Sequence, residues 1–290
     1  MGCARPLGKN KGGYHGQTID ILAVLRDFSS AAIERGWELQ VIRVDPKVQL
    51  LAARRGRAEA PSGGVGPGSA TAGVGQASAA LPEHRPRVYI SAGIHGDEPA
   101  GPLALLNLVK EDLWPANLDL WLCPCLNPGG FLLNRRHNPQ GADLNRQYLE
   151  PRAEETAAHI RWLRGQPNFH LCLCLHEDWE AAGFYLYELN PDNRPSLSPE
   201  MIRAASSVCP VDHAEVIEGW PAHAGIIRPG LDPRTRPQWP EAFYLLNHHT
   251  RLSYTLEAPS DFPLGDRVSA LVAAVQKALE MASREREKTD

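Results

Sequence analysis

The fold of this chain is decided by residues 87–98, which read Arg-Val-Tyr-Ile-Ser-Ala-Gly-Ile-His-Gly-Asp-Glu. Their apolar first half predicts a buried strand that ends at Gly93, and a helical pattern follows Pro99. In open α/β sheets, ligands and catalytic groups collect just beyond the carboxyl ends of the strands. His95 and Glu98 lie at such a position, and both side chains suit zinc. We therefore expect this stretch to supply half of a metal site.

Further strands and helices alternate along the chain on both sides of this stretch. Helical periodicity over residues 18–36 precedes a predicted edge strand at 37–44, and an amphipathic helix from Asp266 closes the chain. Near-continuous apolar runs predict three more buried strands, at residues 118–126, 169–175 and 252–256. The alternation predicts an α/β fold with a mostly parallel, mixed β-sheet and helices on both faces. Much of residues 190–250 is expected to form irregular loops.

The expected organisation is a single catalytic domain over residues 1–290, because this length suits one large domain. Residues 56–86 differ from the rest, since glycine, alanine, serine and proline dominate there and large apolar residues are nearly absent. Such a stretch cannot bury enough surface to offset its ordering entropy, so a flexible insertion is predicted. A phosphate-binding loop is not predicted, because no Lys-Ser or Lys-Thr pair follows the glycines.

Composition and charge argue against several classes of protein. A net charge of −4 disfavours nucleic acid as the main partner, and no apolar run reaches 18 residues, so no membrane span is expected. The N-terminus lacks an apolar signal segment, and Pro6 stands where myristoylation needs Ser or Thr. A cytoplasmic protein is therefore expected. The six cysteines include two C-x-C pairs in apolar runs, interpreted as reduced core residues rather than a Cys₄ metal site.

Residues suited to hydrolysis follow the other predicted strands. His176 ends the third strand, and with His95 and Glu98 it forms a His₂Glu set that leaves one position open for water on a catalytic zinc. Glu257 ends the last strand and would take the proton of that water and pass it to a leaving amine. A lone histidine is more often structural. The hypothesis depends on several strand ends contributing together and in a consistent order.

The segment after the second strand supplies cations for the same site. Arg136 or Arg135 would stabilise the charge of a tetrahedral intermediate. Arg146, together with Asn145, would hold an anionic substrate group by charge-assisted hydrogen bonds. The sequence thus predicts a metal, a base, a cation near the reacting carbonyl and a clamp for an anion.

Several motifs together resemble those of a known family. They are His95-Gly-Asp-Glu98, Asn127-Pro-Gly-Gly-Phe131, Arg136-x-Asn138-x-x-Gly141-x-Asp143-Leu-Asn145-Arg146, His176 after an apolar strand, and Thr255-Leu-Glu257-Ala-Pro259. On these residues the sequence resembles the zinc metallocarboxypeptidases related to carboxypeptidase A, as a compact bacterial-type member. It is also similar to the related aspartoacylase and succinylglutamate desuccinylase branch. The resemblance spans roughly residues 87–260 and implies a zinc carboxypeptidase-like fold.

The resemblance assigns a role to each matching position. It implies that His95, Glu98 and His176 bind one Zn²⁺ per chain and that Glu257 is the general base and acid. Arg136 would polarise the scissile carbonyl, with Arg135 a less well aligned substitute. Three further residues would act around these. Asp143 would orient His95, and Asn145 with Arg146 would clamp the substrate's terminal carboxylate.

The family's substrate-capping tyrosine has no clear counterpart. Tyr244 is the nearest candidate, but its surroundings do not match the family pattern. Four neighbours share the same region and are further candidates for lining the specificity pocket, namely Trp239, Phe243, His248 and His249.

Three functions remain open at this point. The favoured one is a metallocarboxypeptidase or peptide amidase that cleaves the C-terminal peptide or amide bond of a peptide with a free carboxylate. The second is an N-acyl amino acid amidohydrolase of the related branch. Enzymes of that branch carry a further β-rich domain after the catalytic glutamate, whereas here one helix and a charged tail follow Glu257. The third, of another class, is an inactive zinc domain that binds peptide C-termini. No nucleic acid or membrane partner is expected.

Overall fold

The protein is described by a computed structural model over residues 18–45, 48–56, 85–232 and 235–284. The predicted insertion at 56–86 lies almost wholly outside the described residues, and it remains a prediction together with the single-domain boundary. Within the described ranges, no helix is both long and apolar enough to cross a membrane.

Within these ranges, ten β-strands form one mixed sheet in the order β1-β2-β4-β3-β5-β10-β6-β9-β8-β7. The strands are β1 (Glu38–Asp45), β2 (Val48–Arg55), β3 (Arg87–Ala92), β4 (Asp119–Cys123), β5 (Leu171–Asp178), β6 (Tyr185–Leu189), β7 (Val216–Ile217), β8 (Trp220–His223), β9 (Ile226–Ile227) and β10 (Ser253–Pro259). The four central strands β4, β3, β5 and β10 are parallel, whereas β1 and β2 on one side and β6 on the other join antiparallel. The predicted α/β fold class is confirmed.

In the described part of the chain, seven α-helices cover the sheet. They are α1 (Ile21–Glu34), α2 (Ala100–Lys110), α3 (Pro128–Leu132), α4 (Glu154–Arg164), α5 (Ser198–Ala205), α6 (Glu241–His248) and α7 (Leu264–Arg284). The apolar sides of α1, α2, α5 and α7 share one buried cluster with the sheet, and those of α4 and α6 share the cluster on the opposite face. Helices therefore flank both faces, as the sequence predicts.

Strand β10 joins the parallel strands of the sheet to the antiparallel strand β6. It pairs in parallel with β5 on one side and antiparallel with β6 on the other. In this register Glu257 lies between His176 and Tyr185 at the end of the strands. Side chains two residues apart on a strand share a face. The row immediately behind therefore presents Thr255, flanked in register by Cys174 and Tyr187, on the same face.

Three local features differ from the sequence-based expectations. The first helix begins at Ile21 and is capped by Asp20, whose Oδ1 accepts the Ala23 N–H at 3.0 Å, rather than by Thr18. Strand β2 was not predicted. Residues 190–250, expected to be mainly irregular, contain helix α6 and the short strands β7, β8 and β9 in addition to helix α5.

The cysteines behave as small core residues. Cys123, Cys125, Cys172, Cys174 and Cys209 are buried, and no disulfide joins any two of them. Burial raises the pKa of the Cys172 and Cys174 thiols, so both are neutral at physiological pH. The described cysteines therefore support the core interpretation.

A buried ion pair ties the last helix to the strand that carries His176. Glu177 follows His176, and its carboxylate accepts hydrogen bonds from the Arg267 guanidinium of α7 and from the Ala100 N–H at 2.5 Å. The Ser260 hydroxyl donates to the same group at 3.3 Å. Arg267 is only 2% exposed. Four segments are thus joined directly behind the predicted metal site.

Candidate metal centre and active site

His95, Glu98 and His176 meet at the carboxyl ends of β3 and β5. The Nδ1 atom of His95 lies 2.5 Å from Glu98 Oε1, and the Nδ1 atom of His176 lies 3.0 Å from Glu98 Oε2. All three side chains are buried, and their candidate ligand atoms lie within 4.8 Å of one another. Both imidazoles thus present the same ring nitrogen to one carboxylate, as ligands of a single ion would.

The chemistry of this cluster fits a divalent cation. Burial alone would raise the pKa of Glu98, but the two imidazoles hold it well below its usual range, so the carboxylate is charged. Its buried Oε2 atom lies 3.0 Å from His176 Nδ1, yet among the described residues no well-directed hydrogen bond reaches it. A buried carboxylate oxygen without a partner is costly, and an ion held between it and the two Nδ1 atoms removes that cost. The His₂Glu set is one that catalytic zinc uses.

Asp143 lies behind His95 and links it to Arg136. Its Oδ1 atom is 3.4 Å from His95 Nε2, and its Oδ2 atom accepts from Arg136 Nε at 3.0 Å. Burial opposes the charge on Asp143, but the hydrogen bond and charge of His95, with Arg136, lower its pKa overall. Arg136 Nη1 in turn lies 3.7 Å from Glu98 Oε1. The structure thus brings both predicted partners, Asp143 and Arg136, to the candidate metal ligands.

Glu257 faces the same space from β10. Its register position beside His176 places its carboxyl at the edge of the cluster of His95, Glu98 and His176. Glu257 also lines the pocket described below. Burial raises the pKa of Glu257; His176 opposes this shift, whereas Glu98 and Asp178 add to it. A carboxyl of raised pKa binds a proton more readily, which suits a general base.

Asn145 and Arg146 lie in a short 3₁₀ helix (Leu144–Arg146) whose N-cap is Asp143. The Asn145 Oδ1 atom accepts the backbone N–H of Glu241 at 2.9 Å. This bond occupies the acceptor of the amide and leaves its NH₂ group to donate into the pocket. Arg146 lines the pocket beside it. The pair therefore offers donors only, as an anion clamp requires.

A network of buried hydrogen bonds fixes Glu241, the residue whose N–H holds Asn145. The Glu241 carboxylate accepts from Tyr89 Oη and Ser91 Oγ, each at 2.9 Å. The His159 imidazole lies 2.9 Å from Tyr89 Oη and 2.7 Å from Tyr148 Oη. If Tyr89 donates to Glu241, His159 must donate through Nε2 and accept from Tyr148 at Nδ1. Glu241 is thereby fixed at the start of α6, where its N–H orients Asn145.

An open pocket of about 890 Å³ lies above these residues. His95, Glu98, Arg136, Asn145, Arg146, His176 and Glu257 all line it. The remaining wall comes from β6, from the segment around residues 235–243 and from the β7–β8 hairpin. This size is in the range of small-molecule and peptide-end sites.

Two predicted residues are not brought to the pocket. Tyr244 is 5% exposed and packs in the core against Tyr148, with ring centroids 5.8 Å apart, because α6 turns it toward the sheet. Arg135 lies on the exposed side and donates to the Pro139 carbonyl at 3.0 Å. Neither lines the pocket, so neither is carried forward as a substrate-binding residue.

Other aromatic and charged residues line the pocket instead. Of the four further candidates, only Phe243 does so. The sequence analysis did not single out Arg236, Tyr187 or Trp220, which also line it. Tyr187 could have been found from its strand, because it shares the alternation that leads to Tyr185. Arg236 gave no comparable signal, since only the folded loop brings it to the site.

Comparisons with known proteins show what the sequence around this site is similar to. The family model for the succinylglutamate desuccinylase/aspartoacylase catalytic domain matches residues 84–208. Carboxypeptidase SOL1 from Arabidopsis thaliana is 34% identical over 123 residues, which are 35% of this chain and 25% of that protein. Carboxypeptidase 2 from Trichophyton tonsurans is 32% identical over 109 residues, 35% of this chain and 20% of that protein. The chain therefore matches a quarter or less of the length of these curated relatives.

Solved structures share the fold over most of the chain. A Shewanella denitrificans protein named as a candidate metallopeptidase has a TM-score of 0.72 at 19% identity, with 92% of this chain and 97% of that one covered. A metallo-carboxypeptidase from Burkholderia cenocepacia has a TM-score of 0.63 at 16% identity, with 93% and 70% covered. The Pseudomonas aeruginosa metallo-carboxypeptidase, in complex with (2-guanidinoethylmercapto)succinic acid, has 0.59 at 18%, with 90% and 69% covered.

The chain thus shares its fold with these metallopeptidase and metallo-carboxypeptidase structures. Its sequence resembles the zinc metallocarboxypeptidases and the succinylglutamate desuccinylase/aspartoacylase branch, and that prediction is confirmed. The span matched by the family model includes His95, Glu98 and His176 but stops before Glu257.

Proposed function

We propose that this protein is a zinc-dependent hydrolase that cleaves the C-terminal peptide or amide bond of a peptide with a free carboxylate. The observation that carries the proposal is the convergence of the two Nδ1 atoms, from His95 and His176, on the Glu98 carboxylate at the base of the pocket. The metallocarboxypeptidase-like relatives support the same class of reaction.

The three convergent residues would hold one zinc ion per chain. When bound, zinc supplies Lewis acidity, which polarises a carbonyl and lowers the pKa of water toward neutrality. Burial disfavours a charged His95, yet Glu98 and Asp143 together raise its pKa, so the site exchanges a proton for the metal. Asp143, 3.4 Å from His95 Nε2, holds the ring in the orientation that presents Nδ1 to the ion.

Glu257 would transfer the protons of the reaction. It removes a proton from the attacking water and later delivers it to the leaving amine. Its position in register with His176 keeps its carboxyl beside the ligand set. Arg136, held on Asp143 at 3.0 Å, would stabilise the negative charge that develops on the carbonyl oxygen.

Asn145 and Arg146 would restrict cleavage to the end of the chain. Both present donors to the pocket, and a terminal carboxylate is the group that a donor-only pair recognises. If a bond further from the C-terminus is positioned for cleavage, no terminal carboxylate reaches Asn145 and Arg146. Their donors then lack hydrogen-bond partners, which costs free energy. Peptides that end in an amide are therefore expected to be poor substrates.

The second candidate is hydrolysis of N-acyl amino acids. The family model that matches residues 84–208 favours it, because that model describes the catalytic domain of succinylglutamate desuccinylases and aspartoacylases. The length of the pocket favours peptides, since it continues past Glu257 to Trp179 and Trp220. A short acyl group would leave that part empty.

The experiment combines metal binding with a substrate panel. Dialysis against zinc and metal analysis should give one ion per chain in the wild type and much less in His176→Ala; His213→Ala, at an exposed histidine, is the control. The loaded protein is then incubated with peptides, peptide amides and N-acyl amino acids. Release of C-terminal residues supports the proposal, and release of acyl groups alone supports the second candidate. Binding of peptides without turnover of any compound would mean an inactive zinc domain.

A further inference from the structure

The pocket has a second cation beside the anion clamp. Arg236 precedes Pro237 in the segment that leads to α6, and it lines the pocket together with Arg146. The two guanidinium groups are close enough to influence each other, since Arg146 contributes, after burial, to lowering the pKa of Arg236. Like charges are brought together in a half-buried site only at a cost, which an anionic ligand would offset.

Aromatic rings hold the Arg236 guanidinium in place. Its Cζ atom lies 4.2 Å from the centroid of the Phe243 ring and 5.4 Å from that of Trp220. Stacking on ring faces fixes the plane of a guanidinium while its edge keeps its N–H donors. Across the described residues, no carboxylate forms an ion pair with Arg236. Within that part of the chain, the rings orient the donors and no carboxylate pairs with them.

Acidic side chains also line the pocket, namely Asp178, Glu180 and Glu218. The charged groups that act on Arg236 are instead Tyr187 and Arg146. Arg146 and Arg236 thus form the cationic part of the pocket.

The register of the sheet indicates which part of a substrate meets Arg236. In the proposed reaction the scissile bond would lie over the row of His176 and Glu257, beside Arg136. The row behind, with Thr255 and Tyr187, also lines the pocket. A substrate whose terminal carboxylate is held by Arg146 would direct the side chain of its last residue over this second row. Tyr187 on that row and Arg236 line the same pocket.

From these relations we propose that Arg236 binds a second carboxylate, that of an acidic side chain on the last residue of the substrate. The preferred substrates would then be peptides that end in glutamate or aspartate. This inference rests on the proposed function and names its substrate class. Arg236 would be a specificity-determining residue, and it has no part in the bond-breaking step.

The test uses matched peptides that differ only in the last residue, glutamate against glutamine and aspartate against asparagine. With the zinc-loaded wild type we expect kcat/KM to be at least about tenfold higher for the acidic member of the better pair, as a charge-assisted bond to a fixed guanidinium implies. In Arg236→Gln this ratio should fall to about one, and in Arg236→Glu a lysine-ended peptide should overtake the glutamate-ended one. Arg203→Gln, at an arginine 70% exposed on α5, should keep the wild-type ratio.

Failure of the inference is distinguishable from failure of the proposed function. Cleavage with no acidic preference in the wild type, or an equal loss on both members of a pair in Arg236→Gln, would overturn the role of Arg236 while the hydrolase remains. If no peptide is cleaved, calorimetric binding of the same pairs decides. Tighter binding of the acidic member by the wild type, lost in Arg236→Gln, supports the second carboxylate site, and equal binding refutes it.

Discussion

Glu257 and His176 are register partners on adjacent parallel strands. The distance between the proposed base and a proposed metal ligand is therefore set by the backbone ladder of β5 and β10 rather than by a loop. Sites built on strands are positioned more precisely than sites on loops, because the hydrogen-bonded ladder resists displacement. Because Glu257 is the proposed base and not a candidate metal ligand, a substitution there tests catalysis separately from metal binding.

Glu257→Gln should keep its zinc and lose turnover. The amide preserves shape but cannot accept and return a proton, so kcat should fall by about 10²- to 10⁴-fold. Metal analysis and steady-state kinetics on a peptide substrate measure the two effects separately. Glu215→Gln, at an exposed carboxylate, should behave as the wild type. A fully active Glu257→Gln enzyme would rule out the base assignment.

Asp143→Asn should weaken metal binding. Asp143 lies 3.4 Å from His95 Nε2 and also accepts from Arg136, so the amide loses both the charge and one good acceptor. Loss of a partner that orients a ligand typically costs about 10- to 100-fold in metal affinity. Competition of each protein with a chromogenic zinc chelator gives that affinity. An unchanged value would show that Asp143 serves only to hold Arg136.

Zinc should stabilise the folded protein against heat. At free zinc about 1,000 times its Kd, a single site adds about 4 kcal/mol to the free energy of unfolding. For a chain of 290 residues, whose unfolding entropy is about 0.6 kcal/mol/K, the expected rise in Tm is roughly 7 °C. A thermal scan with and without a chelator measures it. His176→Ala should lose most of the shift, and a shift of wild-type size in that variant would place the metal elsewhere.

His159 should make the protein less stable in acid. Burial, with His249, lowers the pKa of His159 to about 3, while in the unfolded chain it is about 6.5. Between these values the unfolded state binds the extra proton, so this group's contribution to the free energy of unfolding falls as pH decreases, by up to about 1.4 kcal/mol per pH unit. Denaturant titrations at pH 7.5, 6 and 5, with chelator throughout, measure the slope.

The matched variants isolate the contribution of this one histidine. His159→Gln lowers stability at pH 7.5 because the bonds to Tyr89 and Tyr148 are disturbed, yet its stability should depend less steeply on pH. His223→Gln, at an exposed histidine, should keep the wild-type slope. Equal slopes in all three proteins would mean that His159 does not control the acid response.

Arg267→Met should be strongly destabilising. It leaves the Glu177 carboxylate buried without its cation, and breaking a buried pair from one side typically costs about 3–5 kcal/mol. The double variant Glu177→Gln, Arg267→Met should recover much of that loss, since no unpaired charge remains. Denaturant unfolding of the three proteins checks this. Additive losses in the double variant would contradict the pairing.

The central part of the fold and site was predictable because it depends on local patterns. Strands β3, β5 and β10 are apolar runs that end in ionisable residues, and the parallel sheet gathers those ends at one edge. His95, Glu98, His176 and Glu257 meet there for that reason. Asp143 and Arg136 were found because they lie in a short motif whose spacing is itself informative.

The outer strands of the sheet and the pocket wall were not predictable, because they depend on contacts between distant parts of the chain. Strand β2 has no clear alternation and is defined by its pairing with β1 and β4. The register of helix α6 turns Tyr244 into the core and Phe243 toward the pocket, although the two are adjacent in sequence. Arg236 enters the site through contacts with Trp220 and Phe243, which only the folded chain brings together.

The position of β10 between β5 and β6 has a consequence for when the protein becomes active. Strand β10 follows β5 and β6 in the chain, yet it lies between them in the sheet. A nascent chain that already contains the three candidate metal ligands therefore still lacks Glu257, the proposed base. We therefore expect no turnover from a nascent chain until β10 has inserted between β5 and β6 and brought Glu257 beside His176.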